Sequence, residues 1–188
     1  MTLCGCGKVC QDISKHYFDI IKEAYDNKYK NILIFEDDAK FDLPFNKKNF
    51  KKIIDWLSKN YWETFSFGSI NYPSIINIPC QKNIAWSKCP LQAHSMAYSK
   101  NGIKKLYNSM WTHKMHVDYF FTKVLNHQYV AYPSICFQDK EPGMSKAFKN
   151  KLSLNYDFDT LNRIFDHISY WFLPLTLICI LIIVLKKI

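Results

Sequence analysis

Glycine is scarce in this chain, at 5 of 188 residues, and proline reaches only 7. That scarcity excludes collagenous and low-complexity architectures. No segment repeats internally. No basic, then apolar, then small-residue segment opens the chain, so no secretory signal peptide is expected. Basic and aromatic residues do not interleave beyond the general aromatic background, so nucleic acid is not expected as a partner. The seven cysteines are an odd, unpatterned set, which argues against a full disulfide framework. Cys4, Cys6 and Cys10 offer three thiolates without a recognisable fourth ligand, so a zinc site is not expected there. A Cys80–Cys89 bridge would require an oxidising compartment.

What the chain does contain is apolar surface and lysine. With 48% hydrophobic and 16% aromatic residues, disorder is excluded as the main state. The length suits one domain with a real core. The formal net charge of +9 comes mainly from scattered lysines, densest at Lys47-Lys48 with Lys51-Lys52 and from Lys146 to Lys151. Such lysines form a solvated surface or attract an anionic one.

From Ile168 to Leu185 no residue is charged. Tyr170 and Trp171 sit where an interfacial aromatic belt belongs, and Lys186-Lys187 closes the far end. The stretch is near the lower length limit for a bilayer-spanning helix. The expectation is a single-pass membrane anchor over 168–185, joined by an amphipathic linker over 151–167 to a folded domain over 1–150. A buried core helix or an in-plane anchor is the competing reading.

Periodicity organises the rest. Residues 12–27 place Ile13, Tyr17, Ile20, Ile21, Ala24 and Tyr25 on one helix face, with Asp12 as N-cap. A strand follows over 31–35. Residues 47–59 form a second helix with Phe50, Ile53, Ile54 and Leu57 inward. Thr64–Phe67 alternates as a strand and ends at Gly68; 71–90, with three prolines, is a loop. Ala93–Tyr98 is a strand, Ser99 caps a helix through Tyr107, Val117–Asn126 is a helix and Tyr129–Phe137 a last strand. Helices alternating with strands predict α/β layers.

One element stands out chemically. The apolar strand Asn31-Ile-Leu-Ile-Phe35 runs directly into Glu36-Asp37-Asp38. Acids at the exit of a buried strand are costly unless a cation or polar ligand meets them. Hard divalent cations prefer carboxylate oxygens and bridge to phosphates. The motif therefore reads either as a metal-dependent site for a phosphate-bearing ligand or as an acidic loop.

The segment from Tyr29 to Phe41 resembles the signature of glycosyltransferase family 25, which includes bacterial lipooligosaccharide sugar transferases and collagen galactosyltransferases. Further blocks follow in the family's order. They are Cys10 and Ser14 with His16, Trp62 to Gly68, His94 to Gly102, Val117-Asp118, and Tyr132-Pro133 through Gln138 to Ser145. The resemblance covers roughly residues 7–146. It implies a GT-A type nucleotide-sugar-binding α/β fold and transfer of a hexose from a UDP-sugar to a hydroxyl on a glycan or hydroxylated protein side chain. Mn²⁺ or Mg²⁺ is the implied cofactor. Carried onto this chain, Asp38 is the metal ligand, and Glu36, Asp37 and Gln138 contact the donor. Asp118 is the general base; its competing role is to stabilise a helix N-terminus. His113 and His116 offer a second ligand set with Asp118. Gln138 equally suits a structural hydrogen bond, and Gly68 a tight strand-end turn. Family members begin with a further strand before the Cys…Ser-His helix. The expectation is thus an N-terminally truncated domain whose exposed edge a homo- or hetero-oligomer could cover. A catalytically inactive, membrane-tethered binding protein is the alternative function.

Overall fold

A computed structural model describes residues 7–41, 47–69, 77–88, 90, 93–109 and 116–138, together with Ile182 and Leu185. The elements, in order, are α1 (Gly7–Asp26), β1 (Asn31–Phe35), β2 (Ala39–Phe41), α2 (Lys47–Lys59), β3 (Thr64–Ser66), β4 (Asn77–Gln81), β5 (Ile84–Ser87), β6 (Ser95–Ser99), α3 (Lys100–Asn108), α4 (Val117–Val124), β7 (Gln128–Ala131) and β8 (Cys136–Gln138).

Six strands form one mixed sheet in the order β1-β6-β3-β7-β5-β4, and β2 pairs β8 in a small separate ladder. Only β3 and β7 run parallel; every other pairing is antiparallel. Helices α1, α3 and α4 cover one face. Tyr17, Ile21 and Ala24 of α1 pack there with Met96, Tyr98, Ile103, Leu106 and Phe121. Helix α2 covers the other face, setting Ile53 and Leu57 against Phe65, Phe67, Ile84 and Ala97. Trp62 fastens the end of α2 by donating its indole N–H to the Leu57 carbonyl at 2.8 Å. Met96 and Tyr98 thus face one layer and Ala97 the other, as the two-residue strand period requires.

A buried polar knot ties the layers at one end. The Glu63 side chain is fully buried and pairs with Lys105 of α3 at 2.5 Å. It also accepts from the amides of Asn126 and His127 at 2.8 and 3.2 Å and from the Tyr61 hydroxyl at 3.1 Å. Burial alone would raise its pKa, but these donors together hold it below the usual carboxylate value. Gly102 lets α3 approach this point: a Cβ there would lie 2.1 Å from the Glu63 carbonyl oxygen.

Several expectations need correction. The fold is α/β, but antiparallel ladders dominate it. The expected GT-A type architecture with a spanning C-terminal helix gives way to a mixed six-stranded sheet with four helices among the described residues. Doubly wound nucleotide folds thread parallel strands through helical crossovers; here one parallel pair stands among four antiparallel ones in the main sheet. The single-pass anchor over 168–185 is not supported either. No helix among the described residues is long and apolar enough to cross a membrane. Of that stretch only Ile182 and Leu185 are described, and both are exposed. Its 18 uncharged residues sit at the lower limit of a span.

The expected loop over 71–90 contains the β4–β5 hairpin, turning at Lys82-Asn83 with Asn83 at a positive φ of 71°. Pro79 is tolerated because β4 is an edge strand. The expected strand over 129–137 divides into β7 and β8 around Pro133, which has no amide proton for a ladder. In α2, Ile54 turns outward and Trp56 packs edge-on against Tyr129 instead. Strand β3 is buried on both faces rather than alternating, because it lies inside the sheet. Cys80 is an exposed free thiol; Cys89, Cys4 and Cys6 lie outside the described residues.

Candidate active site

The acids leave the sheet through a tight turn. Glu36 N donates to the His94 carbonyl at 2.9 Å, continuing the β1–β6 ladder by one residue. Ala39 N donates back to the Glu36 carbonyl at 3.0 Å and closes a four-residue turn. Beyond it, β2 pairs Ala39 opposite Gln138 of β8. Phe35 packs against Phe41 and Phe67, with ring centroids 5.2 and 6.1 Å away. Glu36, Asp37 and Asp38 are therefore held between two ladders.

Their environments differ. Asp37 is exposed. Asp38 is half-buried, and its Oδ1 is shut off from solvent without a hydrogen-bond partner among the described residues. Glu36 faces α1, where the Tyr17 hydroxyl lies 2.9 Å from Oε1 and 2.8 Å from the Ala93 carbonyl oxygen. That hydroxyl has one proton and two acceptors. Burial raises the Glu36 pKa and the Tyr17 hydrogen bond lowers it; Asp38, Asp118 and Asp37 add to the rise, which prevails. The Glu36 carboxylate and the Ala93 carbonyl thus share one donor proton.

Asp118 joins the group from the first turn of α4. It lines a shallow cleft with Pro90, Ala93, Met96 and Phe121. Its charge is felt at Glu36, Tyr17 and Tyr98. The Tyr98 hydroxyl is wholly buried and has no hydrogen-bond partner among the described residues. Its pKa is raised, first by burial and then by Asp118 and Glu36. His94 is equally buried. Its Nε2 lies 3.5 Å from the Cys136 carbonyl, and its Nδ1 has no partner among the described residues. Burial lowers its pKa and keeps the ring neutral, against smaller opposing effects of Cys136 and Asp38. Gly68 is needed here for close approach rather than for a turn: a Cβ would meet the Cys136 carbonyl oxygen at 1.8 Å and His94 Nε2 at 2.9 Å.

Glu36 feels the charges of Asp38, Asp118 and Asp37, and Asp37 is the exposed member of the turn. Gln138 lies beside them by ladder register, but its side chain is outside the described residues, as is His113. His116 Nδ1 lies 3.9 Å from Asp118 Oδ2 and precedes α4 without a capping hydrogen bond. Sequence reasoning missed Tyr17, His94 and Tyr98 as site residues. A tyrosine on the inward face of an amphipathic helix was the available signal, because a buried hydroxyl needs a partner.

No protein-family model matches the chain, and no curated protein sequence matches it. The site's chemistry rests on its own geometry.

Among the described residues no group of three or more His, Cys, Asp or Glu side chains could hold a metal ion. Asp38 alone fits one, through its unpartnered buried oxygen. That suits a hard divalent cation that takes one or two carboxylates and completes its shell with phosphate oxygens and water.

Proposed function

We propose that this protein transfers a hexose from a nucleoside-diphosphate sugar, UDP-hexose in the first instance, to a hydroxyl acceptor on a glycan or hydroxylated protein side chain. The observation that supports the reading is the Asp38 oxygen at the exit of β1, closed off from solvent with no hydrogen-bond partner among the described residues. The family 25 resemblance supports the same chemistry.

In this reading Asp38 would hold the Mn²⁺ or Mg²⁺ ion. When bound, that ion offsets the charge developing on the departing nucleoside diphosphate. Asp118 accepts the proton of the acceptor hydroxyl as its oxygen bonds to the anomeric carbon and the carbon–phosphate-oxygen bond breaks. Glu36, anchored to α1 through the Tyr17 hydroxyl, fixes the direction of the acid turn. Asp37 and Gln138 are assigned to donor contacts in the same reading. The unpaired groups of Tyr98 and His94 supply hydrogen bonds that a bound hydroxyl or carbonyl can satisfy.

The inactive binding-protein reading is favoured by one observation, the absence of a multi-ligand metal group among the described residues. The full chain, incubated with Mn²⁺ and UDP-hexose, separates the two. Release of UDP that falls at least ~100-fold in both Asp38→Asn and Asp118→Asn supports the enzyme. Calorimetry showing UDP binding without turnover supports the binding protein, and no UDP binding with or without Mn²⁺ overturns both.

A further inference from the structure

The two edges of the main sheet are built differently. Strand β4 is blunted in the ways edges usually are: it contains Pro79, its register shifts between Pro79 and Gln81, and it carries polar Asn77 and Gln81. Strand β1 has neither a proline nor a register shift, and Asn31 at its entry is its one polar residue. It pairs with β6 in unbroken register from Asn31 to Phe35, and its other edge is unpaired among the described residues. Leu33 is 48% exposed and Phe35 is 42% exposed, both on the side of the strand opposite Ile32 and Ile34, and Tyr29 just before the strand is 48% exposed. A regular, flat, apolar edge is a template for another strand.

The phase of the ladder shows what that strand must look like. Glu36 N donates to the His94 carbonyl, so Ile32, Ile34 and Glu36 direct their backbone groups toward β6. Backbone direction alternates along an antiparallel strand, so Asn31, Leu33 and Phe35 direct theirs outward. These outward groups are self-complementary. In an antiparallel register centred on Leu33, Leu33 faces Leu33 of a second copy, and Asn31 faces Phe35 at each end. Each pairing exchanges two hydrogen bonds. The charges agree with this register. Exposed Lys28 and Lys30 enter β1, and Glu36, Asp37 and Asp38 leave it. Antiparallel self-pairing sets the basic entry of one copy against the acidic exit of the other, with Lys30 directly opposite Glu36. Opposite charges across a strand pair are stabilising.

We infer that β1 is a homodimer interface, in which two copies join edge to edge about a two-fold axis through Leu33 to form one continuous sheet. A two-fold contact is isologous, so one patch suffices on each chain. The arrangement also brings Lys30 of the second copy to the acid turn, where its ammonium meets the crowded carboxylates.

The test uses the full chain. Sedimentation equilibrium at micromolar concentrations is expected to give twice the chain mass. Leu33→Pro removes only an outward amide and spares the β6 ladder; it is expected to give the monomer mass with an unchanged near-ultraviolet circular dichroism spectrum. Leu33→Lys, which keeps the amide, is the second variant and is also expected to be monomeric. Register is read by oxidation. Leu33→Cys, whose thiols face each other across the axis, is expected to cross-link to a disulfide dimer well above the wild-type background, and Asn31→Cys is not. A monomeric wild type, a dimer that survives both Leu33→Pro and Leu33→Lys, or equal cross-linking of the two cysteine variants overturns the inference.

Discussion

Removing the Glu63 carboxylate tests how the layers are tied. In Glu63→Ala, the amides of Asn126 and His127 lose their acceptor, and Lys105 and Tyr61 lose theirs. Lys105 and Tyr61 are partly exposed and regain water, so little of the loss comes from them. The two amides matter more, because a hydrogen bond to a charged group contributes about 1.5–3 kcal/mol. Asn126 and His127 lie at the surface, where water recovers part of that. The expected cost is about 3 kcal/mol, read as a lowered urea midpoint at constant slope. Glu63→Gln keeps one acceptor oxygen and the side-chain volume, and is expected to cost about half as much. The pH dependence separates charge from shape. The folded-state pKa of Glu63 lies below its unfolded value, so its contribution is present above the unfolded pKa and is lost as pH falls through the folded one. The gap between wild type and Glu63→Gln is therefore expected to narrow below about pH 4.5. A Glu63→Ala variant within about 0.5 kcal/mol of wild type would refute the reasoning, and so would a Glu63→Gln deficit that stays constant down to pH 3.

Two further outcomes follow from the same packing and electrostatics. Gly102→Ala improves intrinsic helix propensity by about 0.8–1 kcal/mol, yet it is expected to lower the melting temperature, because the new methyl meets the Glu63 backbone oxygen. Glu36→Gln mimics the protonated side chain. The folded-state pKa of Glu36 lies above its unfolded value, so wild-type stability declines as pH rises through that window. The variant is expected to melt higher than wild type at pH 7 and to lose that advantage below about pH 4.5, as thermal denaturation across pH would record.

Much of the frame was legible because local signals agreed with tertiary demands. Strand β1 and helix α2 occur over the residues their periodicity predicted, and Ser99 caps α3 by accepting from the Gly102 amide at 3.3 Å. The missed hairpin had a poor local signal: Pro79 speaks against a strand unless the strand is known to be an edge, and edge position is a property of the whole sheet. The exposure of Ile54 was likewise set by where α2 rests, not by its own spacing. At the site, the acid turn and Asp118 announced themselves as charges. Tyr17, Tyr98 and His94 did not, because their importance comes from burial beside those charges, and Gly68 and Gly102 were legible only as glycines. The backbone each must admit lies elsewhere in the sequence.

The position of β1 has a kinetic consequence. Within a single protomer the strand that carries the acid turn is an edge strand among the described residues, and its partner β6 lies far away along the chain. Among the sheet pairings, only β4–β5 is a local hairpin. Long-range pairings form slowly, and edge elements open with less free energy than central ones. The acid turn is thus assembled when β1 docks and disassembled whenever it lifts, while the inner strands persist. In the monomeric Leu33→Lys variant, amide protons of Ile32 and Ile34 should exchange faster than those of Phe65 and Ala97, so there solvent and solutes reach Glu36 and Asp38 through local opening of one strand rather than through unfolding of the domain.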